Sequence, residues 1–221
     1  NEPLSALDTA ICMGASLSMA HGASQAYKVA GAKTKAVGVL GDSTFFHSGI
    51  TSLMDAVYNQ SDSISVILDN RITGMTGHQQ NPGTGFTLMG KPAPEVDIPA
   101  LVKAVGIKEE NIYVVNPLHL DEVDKALDAC IEKDEPTVII TRWPCVLKKF
   151  SQQDLEEFTG LHKTQCHIIQ DKCRNCKACV RTGCPALMSS KDDVVIDVNS
   201  CVGCTVCKQV CPFDAIEEVQ R

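Results

Sequence analysis

Two cysteine runs near the C-terminus constrain this chain more than any other feature. The first is Cys173-x2-Cys176-x2-Cys179-x4-Cys184-Pro185, and the second is Cys201-x2-Cys204-x2-Cys207-x3-Cys211-Pro212. Three thiols at two-residue intervals wrap a loop around one face of an iron–sulfur cubane. The fourth, just ahead of a proline, ligates the other cluster of the pair. The spacing therefore predicts one [4Fe–4S] cluster on Cys173, Cys176, Cys179 and Cys211, and a second on Cys201, Cys204, Cys207 and Cys184. Zinc also takes Cys-x2-Cys pairs, but usually two per ion across a long spacer. A disulfide framework suits a small secreted domain rather than a chain of two-domain length. The first run carries one residue more before its last cysteine than the second, and Gly183 can absorb it as a small bulge.

The 221 residues suit one medium domain and one small one. We place the domains at 1–147 and 166–221, with 148–165 as a helical or irregular linker of alternating charge. The small domain has little apolar surface, so its clusters must supply much of its folding energy. It holds seven basic and seven acidic residues, which puts the whole net charge of −7 in the larger part. No basic stripe is available to neutralise phosphates, which argues against nucleic acid as a partner. No apolar run approaches the ~20 residues of a membrane span. An oxygen-sensitive, thiolate-rich chain is expected in a reducing cytoplasm.

The larger part alternates helix and strand patterns. Helices are predicted at 15–29, 47–59, 98–105 and 120–131, and strands at 36–40, 64–68, 112–115 and 137–141. Continuous apolar strands between amphipathic helices imply right-handed crossovers and an α/β, doubly wound parallel sheet. Ligands of such sheets bind beyond the carboxyl ends of the strands. Two polar pairs stand at such ends, Asp42-Ser43 after the first strand and Asp69-Asn70 after the second. A carboxylate and an amide oxygen are hard ligands suited to Mg²⁺ held with phosphates, and N–H groups at the helix start after Gly41 would face phosphate oxygens. Alone these are ordinary strand-end residues. Their separation by one βαβ unit places them side by side.

Gly41-Asp42-Ser43 followed by Asp69-Asn70 resembles the thiamine-diphosphate motif. The longer stretches GDSTFFHSG (41–49) and DNRITGMTGHQQNPGTG (69–85) are similar to 2-oxoacid:ferredoxin oxidoreductases, most closely the indolepyruvate ferredoxin oxidoreductase alpha-subunit family. Cys12-Met13-Gly14-Ala15-Ser16 and His21-Gly22 match that family's opening cofactor segment. The resemblance covers nearly the whole chain and implies a thiamine-diphosphate-binding domain followed by a small α+β, twin [4Fe–4S] ferredoxin-like domain. It implies Mg²⁺ on Asp42, the Asn70 side chain and the Ile72 carbonyl. Gly41, Ser43 and Thr44 would lie against the diphosphate. Thr73, Met75 and Thr76 would lie near the thiazolium, with Gly14, Ala15, Ser16 and His21 bordering the cavity. Ser43 stands where many thiamine enzymes have glycine, and its hydroxyl could donate to a phosphate.

The implied reaction is oxidative decarboxylation of an aryl pyruvate to an acyl-coenzyme A, with electrons passing through both clusters to an external ferredoxin. His47 and His78 are candidate catalytic groups near the substrate, although a histidine at such a position is more often a surface or capping residue. The family activates thiamine through a glutamate on a pyrimidine-binding domain that this length cannot contain. The expectation is therefore a piece of a longer alpha chain that works with its remainder and a second, beta, subunit. A non-catalytic electron-transfer subunit and another 2-oxoacid specificity are the competing readings. Cys12, Cys130, Cys145 and Cys166 are scattered and read as buried small residues or free thiols. Met13, Met19, Met54, Met75 and Met89 are irregularly spaced and read as core filling. The segment 81–85 reads as a loop over the cofactor.

Overall fold

A computed structural model describes residues 4–158 and 163–221. It divides into two compact units, one of residues 10–149 and the other running from residue 150 to the C-terminus with a short N-terminal segment.

In the larger unit α1 (Ala15–Ala30) leads into β1 (Val37–Gly41). The chain then turns directly into α2 (Asp42–Thr44), a π-helical turn at Phe45–Gly49, and α3 (Ile50–Tyr58). Together these form one helix from strand end to loop. β2 (Ile64–Asp69), α4 (Ile98–Ala104), β3 (Ile112–Val115), α5 (Leu120–Ile131) and β4 (Thr137–Arg142) follow. The four strands form one parallel sheet in the order β1-β2-β4-β3. This is the doubly wound architecture that the alternating pattern predicts.

The two-residue period of the strands sorts their side chains onto two faces. Leu40, Ile67, Val138 and Ile140 pack on one face with Leu17 of α1, Leu53 of α3 and Val102 of α4. Ile64 and Ile139 face the other way, onto Ala126 and Cys130 of α5. Helix α1 lies very close to β1. A Cβ on Gly38 would stand 2.7 Å from the Ser16 carbonyl oxygen, so only glycine permits that approach. Because the strands are parallel, Gly41, Asp69, Val115 and Arg142 all end at one edge of the sheet.

The methionines do not fill this core. Met13, Met54, Met75 and Met89 are exposed, Met75 completely, and Met19 is half-buried. Met13, Met75 and Met89 sit in loops around the strand ends and Met54 on the outer side of α3. The core is filled instead by the branched residues of the strands and the helix faces above them.

The smaller unit begins with α6 (Gln152–Glu157), started by a capping box in which Ser151 and Asp154 satisfy each other's backbone N–H. β5 (Thr164–Ile168) pairs antiparallel with β8 (Ile216–Gln220), and β6 (Leu187–Ser189) pairs with β7 (Val194–Ile196). A single turn, α7 (Val206–Gln209), lies between β7 and β8 in sequence. The core here is Cys166, Ala186, Leu187, Val194, Cys201, Cys207 and Ile216. Three of these seven carry thiols, too little hydrocarbon to fold the unit without its metal.

Candidate functional site

Gly41 closes β1, and the immediate helical turn leaves the Asp42 carboxyl almost sealed at the strand end, 3% exposed. Its Oδ1 accepts the Ser43 N–H at 2.7 Å. One strand over, Gly41 stands opposite Leu68, which brings the ends of β1 and β2 together. After β2 the Asn70 Oδ1 accepts the Ile72 N–H at 3.2 Å, an Asx turn that folds 70–72 back over the sheet edge. Burial pushes Asp42 up to about 6, and the nearby Asp69 adds to the rise. The Ser43 N–H, the Asn81 amide and the Ile72 N–H pull it down again. Asp42, Asp69, Ile72 and Asn81 therefore converge, with Asn70 held beside them by its bond to Ile72.

Asp69 is differently placed. Its Oδ2 accepts Arg142 Nε at 2.7 Å, so it is neutralised within the protein. Arg71, buried and at φ +58, bridges the Gly83 carbonyl (3.2 Å) and Glu95 (2.5 Å). A left-handed backbone costs a non-glycine residue about 1–2 kcal/mol. Here it turns the guanidinium under the loop that follows. In that loop Asn81 Oδ1 accepts the Gly83 N–H at 2.9 Å, and Thr84 donates to the Asn81 carbonyl at 2.8 Å. Gly83 lies against the Phe46 ring, where a Cβ would meet it at 3.1 Å. Gly14, at φ +88, abuts Ser48 so closely that a Cβ would fall 2.0 Å from the hydroxyl oxygen. The start of α1, the π-helical turn and the 70–85 loop are thus jammed together at one sheet edge.

At or near that edge lie Gly14, Gly41, Asp42, Ser43, Thr44, Asn70, Ile72 and Thr73. Ala15 and Ser16 follow in α1, where the Ser16 carbonyl abuts Gly38, three residues before the end of β1, and the Ser16 hydroxyl is buried without a partner. Thr73 pairs with Gln79 to make a short hairpin, whose tip exposes Met75, Thr76 and His78. His47 is exposed on the π-helical turn. His21 lies further along α1, with Nε2 3.7 Å from Asp55 of α3, and belongs to the packing of those two helices.

In the smaller unit the cysteines sort into two nests. Cys173, Cys176, Cys179 and Cys211 line one mainly apolar cavity with Ile168 and Val194. Burial pushes the Cys179 thiol up, and Cys211 and Cys173 beside it push it further. In the other nest burial raises Cys204, with Cys184, Cys166 and Cys201 as neighbours. Cys207 is raised by its hydrogen bond to Cys166, by burial, and by Cys204 and Cys184. Cys211 thus lies with Cys173, Cys176 and Cys179, and Cys184 lies with Cys204 and Cys207. No disulfide forms among the described residues.

The family comparisons agree with both halves. Residues 1–141 match the family model described as thiamine pyrophosphate enzyme, C-terminal TPP binding domain, and residues 194–217 match a 4Fe-4S binding domain. The chain belongs to the thiamine pyrophosphate enzymes. It is 38% identical over 98% of its length to the indolepyruvate oxidoreductase subunit IorA of Archaeoglobus fulgidus, and 36% identical over 99% to that of Thermococcus kodakarensis. It spans about a third of the length of these curated relatives, 33% and 35%. Among solved structures, 2-oxoglutarate:ferredoxin oxidoreductase from Magnetococcus marinus superposes with a TM-score of 0.55 at 15% identity, over 66% of this chain and 50% of that one. That likeness concerns the fold.

The residues present fit the family's cofactors. The start of α1, the π-helical turn and the 70–85 loop meet beside the Asp42 carboxyl at the sheet edge where a diphosphate would bind. Asp42 is a buried carboxyl bonded only by N–H groups, with no lysine or arginine paired to it among the described residues. Such a group is short of a cation. Among those residues no three His, Cys, Asp or Glu side chains surround a single ion. Each nest offers four soft thiols, the donor set of a [4Fe–4S] cluster.

Several parts of this thiamine-enzyme site had no signal in the sequence. Asn81 contributes a buried amide nitrogen that lowers Asp42 yet makes no well-formed hydrogen bond of its own. Arg71, Glu95 and Arg142 build the ion-pair frame beneath it. The dipeptides N-P and P-G marked a turn at 81–83, and nothing marked which way Asn81 would face.

Proposed function

We propose that this chain is the thiamine- and cluster-bearing part of an indolepyruvate-type 2-oxoacid:ferredoxin oxidoreductase. The observation that carries the reading is the coexistence, in one chain, of a strand-end half-site whose buried carboxyl is bonded only by N–H groups and two crossed nests of four thiols. The alignment with indolepyruvate oxidoreductase subunits over 98% of the chain supports it.

In this reading Asp42, the Asn70 side chain and the Ile72 carbonyl hold Mg²⁺. Gly41, Ser43 and Thr44 contact the diphosphate, with the Ser43 hydroxyl as a donor. Thr73, Met75 and Thr76 border the thiazolium side. Bound thiamine diphosphate supplies the electron sink that lets a 2-oxo acid lose CO₂, and the clusters supply one-electron relays. Asp69, neutralised by Arg142, and Arg71, pinned to Glu95, keep the edge rigid without competing for the cation. His47 and His78 are the exposed polar groups proposed to meet the substrate. The proposed partners are an aryl 2-oxoacid, coenzyme A, an external ferredoxin, the remainder of the alpha chain and a beta subunit. A reducing cytoplasm is the proposed location; no helix among the described residues is long and apolar enough to cross a membrane.

The test is anaerobic titration of the intact protein with thiamine diphosphate, with and without Mg²⁺, in parent and Asp42→Ala forms. Mg²⁺-dependent binding by the parent and its loss in the variant are expected. A parent with about eight irons per chain and no thiamine diphosphate binding would make the chain an electron carrier only.

A further inference from the structure

The two cysteine runs repeat one backbone and differ in what they carry on it. At an offset of 28 residues, Cys173, Cys176 and Cys179 answer to Cys201, Cys204 and Cys207. The left-handed turns repeat as well: Asn175 (φ +49) and Lys177 (φ +60) in the first loop, Gly203 (φ +72) and Thr205 (φ +59) in the second. Equal geometry makes the side chains comparable position by position. The first loop carries Lys172, Arg174, Lys177 and Arg181 where the second carries Ser200, Val202, Thr205 and Gln209. The one cation of the second loop is Lys208.

Charge is therefore gathered on one loop of an otherwise balanced unit. Four of the seven cations in residues 166–221 fall between 172 and 181, and Asp171 is the single carboxylate between 171 and 184. Lys172, Arg174 and Arg181 are exposed and Lys177 is half-buried. None of the four pairs with a described carboxylate. Arg174 and Lys177 line the cavity of Cys173, Cys176, Cys179 and Cys211. Arg181 donates to the Cys176 carbonyl at 3.4 Å, which holds it over the same loop. Exposure runs the same way. Cys176 is exposed, and Phe213, two residues past Cys211 and lining the same cavity, is 44% exposed. In the other nest Cys201 and Cys207 are buried, and Ala186, two residues past Cys184, is 2% exposed.

We propose that the face around Cys176, formed by Lys172, Arg174, Lys177, Arg181 and Phe213, docks a small acidic protein with a one-electron iron–sulfur centre, and that electrons leave the pair from the first cluster. This rests on the cluster assignment proposed above. Unpaired cations at an exposed rim steer an oppositely charged partner and raise its association rate. Phe213 gives the contact a small apolar centre inside that polar rim. Electron transfer weakens steeply with distance, so the nest that meets solvent is the one from which a docked protein can draw an electron. One electron passes from the reduced first cluster to the oxidised iron of the partner; no bond forms or breaks and no proton moves. A cluster ligand exposed among the cations serves a redox partner and has no use for a nucleic acid.

The experiment measures, anaerobically and by surface plasmon resonance, the binding of a purified acidic [2Fe–2S] ferredoxin to the iron-loaded whole chain, with iron and sulfide counted in every sample. Arg174→Glu/Lys177→Glu should keep about eight irons. It should slow association on the order of tenfold at low salt, a difference that closes as ionic strength rises. Lys33→Glu/Lys125→Glu, which changes the net charge equally from exposed positions of the larger unit, should stay within about twofold of the parent. Cytochrome c, a basic one-electron protein, should bind far more weakly than the ferredoxin at low salt. Equal slowing in both double variants, or none in the first, would overturn the inference, and so would cytochrome c binding as well as the ferredoxin. A single-stranded oligonucleotide bound more tightly than the ferredoxin, and lost in the first variant, would overturn it in favour of a nucleic-acid surface. A parent chain short of about eight irons would show separately that the cluster assignment had failed, taking this inference with it.

Discussion

Replacing Asp42 by asparagine should stabilise the larger unit at neutral pH while abolishing its Mg²⁺ site. In the unfolded chain the carboxyl titrates near 3.8, and in the folded one burial moves it to about 6. The folded state therefore holds this proton more tightly than the unfolded state does. Stability is highest below the unfolded value, falls as pH rises from about 4 to about 6, and stays low above that. A shift of about two units corresponds to about 3 kcal/mol at ~1.4 kcal/mol per unit. Asparagine keeps an Oδ1 to accept the Ser43 N–H and brings no charge, so most of that penalty should vanish.

Trp143 makes the measurement selective. It is the only tryptophan, it is half-buried just past β4, and its fluorescence reports the larger unit alone. Urea unfolding with iron loaded and thiamine diphosphate withheld should show a higher midpoint for Asp42→Asn at pH 7.5. With m on the order of 2 kcal/mol per molar, the rise is about 1 M. At pH 4 the two proteins should nearly coincide. Adding Mg²⁺ and thiamine diphosphate should stabilise only the parent, by mass action. A variant no more stable than the parent at pH 7.5, or equally stabilised at both pH values, would refute the idea that Asp42 is held uncompensated for a cation.

Three further outcomes follow from the packing. Cys184→Ser and Cys211→Ser should each lower the iron count from about eight to about four, and each should remove the cluster of the opposite run; loss of the same cluster from both would contradict the crossed nests. Gly203→Ala meets the Thr164 carbonyl and a left-handed backbone, so a cost of about 2–4 kcal/mol from strain and overpacking is expected, seen as faster anaerobic loss of iron. Gly38→Ala drives a methyl against the Ser16 carbonyl at 2.7 Å and should destabilise the larger unit by about 1–3 kcal/mol in Trp143-monitored urea unfolding, with the iron count unchanged.

Much of the fold was legible because each signal was local. Strands buried in a parallel sheet are continuous apolar runs, so 64–68 and 137–141 were marked by composition alone, and the cysteine spacing carried its own geometry. The spacing of Asp42 and Asn70 placed them at neighbouring strand ends through the right-handed βαβ rule, which makes no reference to side chains. The rest depended on long-range contact. The π-helical turn at Phe45–Gly49 has no periodicity to announce it, and it sits where Gly14 and Gly83 press on either side. Arg71 reads as an ordinary surface cation until its positive φ turns it under the loop toward Glu95. Cys166 looked like a stray small residue because its partners lie 35 and 41 positions away. The methionines were misread for the opposite reason: an apolar composition says nothing of which loops stand clear of the core.

Both sites gather groups that the protein alone disfavours. Asp42 is buried beside Asp69 and bonded only by dipoles, and Cys179 in one nest and Cys204 in the other are raised by burial and by neighbouring thiols. An incoming cation reverses the sign of each effect, because burial strengthens the attraction of a carboxylate or thiolate for a metal as much as it opposes the bare anion. Loading and stability are therefore coupled in both units, but with different depth. The larger unit has a hydrocarbon core running from Leu17 to Ile140 that can hold the half-site open without its ligand. The smaller unit's core is partly its own ligand set, so removing iron removes the core itself. Chelation should thus unfold the smaller unit and leave the Trp143 transition of the larger one where it was.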